Sequence, residues 1–422
     1  MSVSFFEFLG LLALLAPCLV KAADLPEANS KKVTVCTAPI SSQQEMDVFK
    51  KNLNSGKNAG QFNFVDLTTL GTPPGQTEGV VPDWFDRACQ SGVQCDMLVV
   101  SAHFSSTGFF SDRTNPNPLR YPLRTEKIEK HSCAKDCTGV LNHPREVFLL
   151  SCNTLSSKDT DHRTPQKYLQ ILKTDGAVRW KAERAVEDRY GTLGPQNRQQ
   201  IEFAFEGVPM LTGFRSTSQL ADDNSRYLES YFKKIPDYAQ HLQIDAVEQI
   251  NRSIATVHDF NANKAIMSSF IGTSVCVSSG LNASHDPAQA AFWANICSLR
   301  NESSPLEDRM KLVGKMLADP KIAAYIPDIE NFLEGHTPPE IDLSPQEQAQ
   351  LSALKDQPNM AAAKKFVFDQ IKEKQIYPTL QRHLVVLAQK LQWMDSGQAN
   401  QMLDDIKKRL ADDKSWPDEG AF

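Results

Sequence analysis

"CDMLVVSAHF" (Cys95–Phe104) carries Met97, Leu98, Val99 and Val100 in an unbroken apolar run. A strand with one wet face alternates apolar and polar residues, so an unbroken run predicts a strand buried on both faces. "EVFLLSCN" (Glu146–Asn153) repeats the pattern, and "KKVTVCTAPI" (Lys31–Ile40), "QFNFVDLTTL" (Gln61–Leu70) and "GVPMLTGF" (Gly207–Phe214) supply three further strand segments. Helical patterns lie between them. "SSQQEMDVFKKNL" opens on serine caps and spaces Met46, Phe49 and Leu53 helically; "VPDWFDRACQ" sets Trp84, Phe85 and Ala88 on one side. "PQKYLQILKTDGAVRWKAERAVEDRY" and "PQNRQQIEFAFE" read as helices before the fifth strand. Alternation of buried strands with helices implies parallel βαβ units, hence an α/β fold with a mostly parallel sheet covered by helices on both faces.

After about Ser218 the character changes to amphipathic helices of modest length, interrupted once by the strand-like "GTSVCVSSGL" (Gly272–Leu281). The expected organisation is an α/β domain over 23–235, a helical continuation over 236–300 and an all-helical C-terminal domain over 301–422, with "GHTPPEIDLSP" (Gly335–Pro345) as a joint. At 422 residues the chain exceeds one ordinary core, which fits this division.

The first residues, "FFEFLGLLALLAPCLV" followed by "KAAD", are apolar but too short for a comfortable membrane span, and the small residues at Ala22 and Ala23 suit signal-peptidase cleavage. The expectation is a signal peptide over 1–22, a periplasmic or secreted mature chain, and no integral membrane segment once it is removed. Losing Glu7 and Lys21 removes one charge of each sign, so the mature chain keeps a net charge of −6. Nothing in that balance suggests a nucleic-acid surface.

Nine cysteines less Cys18 leave eight. In an oxidising compartment the close pairs Cys89/Cys95 and Cys133/Cys137 are disulfide candidates, with Cys276/Cys297 as a looser third. Cys36 and Cys152 are left over. A strand order 2-1-3-4 sets the first and fourth strands on either side of the third, about 9–10 Å apart, too far for a direct Cys36–Cys152 bridge. "EKIEKHSCAKDCTGVLNHPRE" also gathers His131, Cys133, Cys137 and His143, a donor set for zinc, although its spacing is off the common finger patterns. The preferred reading is a Cys133/Cys137 disulfide closing a loop that overhangs the His103 edge, with no metal and no cofactor.

In parallel α/β sheets, functional groups gather beyond the carboxyl ends of the strands. His103 stands at the end of the third strand and Cys152 at the end of the fourth, so two buried strands deliver an imidazole and a thiol to one edge. Cysteine hydrolases need that combination: a thiol nucleophile and an imidazole that takes and returns its proton.

A hydrophobic strand ending in His, an interval of a few dozen residues, and a hydrophobic strand ending in Cys resembles the caspase-haemoglobinase fold peptidases, which include caspases, gingipains, separase and bacterial CHAT domains. "VFLLSCNTLSS" is similar to the CHAT-type block, and "FEGVPMLTGFRSTSQLADDNSRYLESYF" resembles the segment that follows the nucleophile. The resemblance spans roughly Lys32–Phe232. It implies a cysteine endopeptidase with Cys152 as nucleophile and His103 as general base and acid. Backbone amides of Cys152 and of Phe104 or Ser105 would bind the oxyanion, with Phe104 standing where the family usually carries glycine. Asp159, Asp161 and Phe109 are the groove candidates, and the partner is a peptide or protein substrate. The competing readings are an inactive scaffold whose helical half binds another protein, and a zinc-stabilised module using residues 131–143. No P-loop, GxSxG or HExxH motif occurs.

Overall fold

The computed structural model describes residues 32–70, 83–105, 108–111, 122–158, 164–174, 179–242, 257–336, 345, 349, 353, 360–372 and 378–412. The expected signal segment, Asp159, Asp161 and most of the 335–345 joint lie outside the described residues.

Among the described residues, nine strands form two sheets. They are β1 (Val33–Pro39), β2 (Phe62–Asp66), β3 (Met97–Ser101), β4 (His103–Ser105), β5 (Gly108–Phe110), β6 (Leu123–Arg124), β7 (Glu146–Leu150), β8 (Met210–Phe214) and β9 (Val275–Ser278). The large sheet runs β2-β1-β3-β7-β8-β9, with β9 antiparallel and the other pairings parallel. The order of its first four strands is the expected 2-1-3-4. The small sheet, β4-β5-β6, is antiparallel.

The unbroken apolar runs have the predicted cause. Along β3, Leu98 and Val100 join a core on one face, while Met97 and Val99 join a different core on the other. Val147 and Leu149 against Phe148 and Leu150 divide β7 in the same way. Each such side chain adds about 1.5–3 kcal/mol of apolar burial, so either face left wet would be costly. One face is covered by α1 (Gln44–Leu53), through Met46, Phe49 and Leu53; the other by α2 (Trp84–Gln90), through Trp84 and Phe85.

The segment between β6 and β7 is mostly helical, as α3 (Thr125–Ala134) and α4 (Thr138–Leu141). The run 165–190 divides into α5 (Pro165–Thr174) and α6 (Arg179–Tyr190), followed by α7 (Asn197–Ala204). After β8 come α8 (Ala221–Lys234), α9 (Tyr238–Leu242) and α10 (Val257–Ser269), then β9. The strand-like interruption is therefore a true sixth strand, and the sheet extends past residue 235.

Further helices follow among the described residues: α11 (Leu281–His285), α12 (Pro287–Arg300), α13 (Leu306–Leu317), α14 (Ile322–His336), α15 (Met360–Lys372), α16 (Pro378–Lys390) and α17 (Ser396–Asp412). Their apolar faces share one core, which also takes in Leu193 and Phe203 from the sheet-bearing half; Phe203 stacks on Trp293 at 4.2 Å. From Val33 onward the chain forms one compact unit. Among the described residues no helix is long and apolar enough to cross a membrane.

Among the described residues the disulfides are Cys36–Cys95, Cys89–Cys137 and Cys133–Cys297. All three expected pairings are thus corrected. Cys36 lies on β1 opposite Leu98 of β3, so Cys95, just before β3, approaches it across adjacent strands. Cys89 on α2 meets Cys137 at the start of α4, two helices in contact. Cys133 and Cys137 are separated by a left-handed turn at Lys135, which sends them to different neighbours. Cys276, expected in a bridge, is a free buried thiol, and Cys36, expected free, is bonded. Both thiols of the zinc alternative are oxidised, while His131 sits between Asp86 and Asp136 and His143 bonds the Cys95 carbonyl. The Cys133–Cys137 loop does not overhang His103. Cys95, at the start of β3, donates its N–H to Gly139 just beyond that loop, whereas His103 follows the far end of the same strand.

Candidate active site

Parallel pairing sets Ser101, the last residue of β3, opposite Leu150, the last residue of β7. His103 and Cys152 each follow two residues later, so neighbouring strands deliver them to the same edge. The strand "CDMLVVSAHF" does not run straight to His103. It breaks at Ala102, and His103 opens the β4–β5 hairpin, where it pairs with Phe110, their rings 5.7 Å apart. Alternation along β4 turns Phe104 to the opposite face, where it packs on Phe109 at 4.7 Å; both are buried. Phe104 thus has a structural role: it anchors the hairpin in the core. It also removes Phe109 from the groove candidates, since a side chain 1% exposed cannot line an open groove.

Cys152 is half-buried and bonded to no other cysteine. It begins a tight turn through Leu155 whose second residue, Asn153, adopts a left-handed φ of 61°. Asparagine tolerates that region better than most residues because its short polar side chain can bond locally. Here the Arg189 guanidinium of α6 donates to Asn153 Oδ1 at 2.8 Å, and the Asn197 amide of α7 donates to the Asn153 carbonyl at 3.1 Å. The Arg189 guanidinium itself lies over the Tyr168 ring of α5 at 4.4 Å. On the β8 side, Asn153 N–H donates to Ser216 and Leu155 N–H to Phe214. The turn is therefore held between α6, α7 and the end of β8.

The loop after β8 supplies a donor to the sulfur: Ser218 N–H to Cys152 Sγ at 3.2 Å. Among the described residues no hydrogen bond joins Sγ to the His103 imidazole. Behind the loop, Asn224 of α8 bonds Ser218 Oγ at 3.1 Å and the Glu45 carboxyl at 2.8 Å. Ser101 Oγ donates to the other oxygen of Glu45. Burial pushes the Glu45 carboxyl above the usual carboxylate range, against the pull of these two hydrogen bonds. Burial likewise raises the Cys276 thiol, despite Arg215 beside it.

Sequence reasoning singled out Cys152 and His103 but not Glu45, Asn153, Arg189, Ser218 or Asn224. Two of these leave a signal. Glu45 is four residues before Phe49, so it falls on the buried stripe of α1, and Arg189 follows Ala182 and Val186 on the buried stripe of α6. A charge inside an apolar stripe asks for a buried partner.

These elements define the class: a mixed α/β protein built on a mostly parallel six-stranded sheet, carrying three disulfides and a half-exposed thiol at the carboxyl edge of that sheet. Comparison with protein-family models, curated proteins and solved structures returns no match.

Proposed function

We propose that the chain is a caspase-like cysteine endopeptidase, exported through its N-terminal segment, with Cys152 as nucleophile and His103 as general base. The observation that carries the reading is the Ser101–Leu150 register, which supports the two side chains sharing one strand edge. Sγ is the one half-exposed thiol among the described cysteines, and three disulfides fit an oxidising compartment. In the mechanism, His103 takes the thiol proton and the thiolate attacks the peptide carbonyl. The Cys152 amide, with that of Phe104 or Ser105, accommodates the oxyanion, and the imidazolium protonates the departing amine. Water activated by His103 then releases the acyl group. Rotation about the side-chain bonds of His103 and Cys152 would form the dyad on substrate binding, as catalytic hydrogen bonds commonly tighten only in the complex. In this reading the helices from residue 301 onward recruit or gate the substrate.

The deciding experiment is cleavage of a peptide library by the wild-type protein and by Cys152→Ala. We expect cleavage by the wild type and none by the variant; equal activity would end the peptidase reading. The second reading, an inactive member of the same fold acting as a protein-binding scaffold, is favoured by Phe104 and by the missing hydrogen bond between Sγ and imidazole. It predicts no cleavage by either protein and alkylation of Cys152 by iodoacetamide at a rate that His103→Ala leaves unchanged.

A further inference from the structure

Glu45 stands outside the Cys152–His103 pair, yet its two oxygens reach both arms that carry the pair. One accepts the hydroxyl of Ser101, the last residue of β3 and two residues before His103. The other accepts the Asn224 amide at 2.8 Å. That amide also lies 3.1 Å from Ser218 Oγ and 3.2 Å from the Gln219 carbonyl, on the loop whose Ser218 N–H holds Cys152 Sγ. Glu45, Ser101 and Asn224 are 2%, 2% and 1% exposed, so water cannot take over these bonds without the loop moving. The turn preceding α1 joins the same edge through Ser41 N–H to the Ser101 carbonyl.

From this chain of contacts we infer that Glu45 is a positioning residue: its carboxyl sets the spacing between the strand that presents His103 and the loop that orients the Cys152 thiol. The inference rests on the reading of Cys152 as a reactive thiol. Its prediction concerns the geometry of Sγ in the folded state and not merely stability, because the carboxyl touches neither reacting group. Glutamine has the same shape, accepts from Asn224 through Oε1 and donates to Ser101 Oγ through Nε2, so it should preserve the spacing. Alanine leaves the hydroxyl and the amide without their shared partner.

The test is the rate of Cys152 alkylation by iodoacetamide in the full chain, read by mass spectrometry on the Cys152 peptide, with the folded fraction measured in parallel. Buried Cys276 is the internal reference for unfolding. We expect Glu45→Ala and Asn224→Ala to slow Cys152 alkylation by about tenfold or more, the scale on which small misplacements act on reacting groups. Glu45→Gln should stay within about threefold of the wild type, a difference small beside that tenfold loss. Phe49→Leu, a core change on the same helix, should lower stability and leave the rate of the folded fraction unchanged. If Glu45→Ala does not fold, Asn224→Ala decides alone. Wild-type rates in the alanine variants would overturn the inference, as would equal slowing by Phe49→Leu. A wild-type rate that His103→Ala does not alter would instead sink the peptidase reading. The effect of Glu45 on Sγ would still be read from the same variants.

Discussion

Asn153 holds the turn after Cys152 with two separable devices, a left-handed backbone and a side-chain oxygen that Arg189 grips. Glycine reproduces the first and not the second; alanine reproduces neither. With the left-handed region costing a Cβ-bearing residue about 1–2 kcal/mol, Asn153→Ala should be less stable than Asn153→Gly by about that amount in urea unfolding. At Glu45 the expected readout is pH. Burial raises its folded carboxyl above the unfolded value, so its contribution is full below the unfolded carboxylate range, near about pH 4, and is lost as pH rises through the folded value. Glutamine never ionises and escapes that loss. The stability of Glu45→Gln relative to wild type should therefore increase from pH 4 to pH 8, measured by urea titration at each pH; a difference that does not change with pH would count against a buried ionising carboxyl.

At the scale of elements, β8 is shaped to admit the cysteine turn. A Cβ on Gly213 would stand 2.5 Å from Thr154 Oγ1 and 2.9 Å from Leu155 Cγ, so this strand needs glycine for space. Gly213→Ala should destabilise by about 1–3 kcal/mol, the usual scale of overpacking, and should also change the alkylation rate of Cys152 because the displaced turn carries it. A denaturant titration combined with the alkylation assay checks both. The hairpin β4–β5 tells a similar story about Phe104. Phe104→Gly would remove the ring that packs on Phe109 and should cost at least about 3–5 kcal/mol, the scale of phenylalanine truncation in cores, in the same titration.

Across the whole molecule, α3 and α12 are joined twice. Cys133 bonds Cys297, and one turn away Arg300 bridges Glu129 at 2.7 Å and Asp328 of α14 at 2.6 Å. The Arg300 guanidinium, held by both acids against the penalty of burial, stays protonated at any working pH. Cys297→Ser should cost about 2–4 kcal/mol by freeing the long loop between the two cysteines. Arg300→Ala should cost about 3–5 kcal/mol because two buried carboxylates lose their cation. Since both act on the same pair of helices, the double variant should lose less than the sum in a urea-based double-mutant cycle. This latch also ties the helices after residue 281 to the segment between β6 and β7.

The order of the first four strands and the register that ends the third beside the fourth were legible in the chain, because continuous apolar runs separated by helical patterns have few foldings other than parallel βαβ units. The break at Ala102 was not: whether a strand continues or turns into a hairpin depends on where Phe104 finds a core. Disulfide partners were misjudged for the same reason. Nearness in sequence says little once Lys135 turns the chain and α12 returns to α3. By itself the sequence determined a buried, mostly parallel sheet and the strand ends after which His103 and Cys152 follow, since local periodicity encodes burial. Only the tertiary structure decided which thiols remain free and which buried groups stand behind Cys152, because bridges and buried hydrogen bonds join residues as far apart as Glu45 and Asn224, which packing alone brings together.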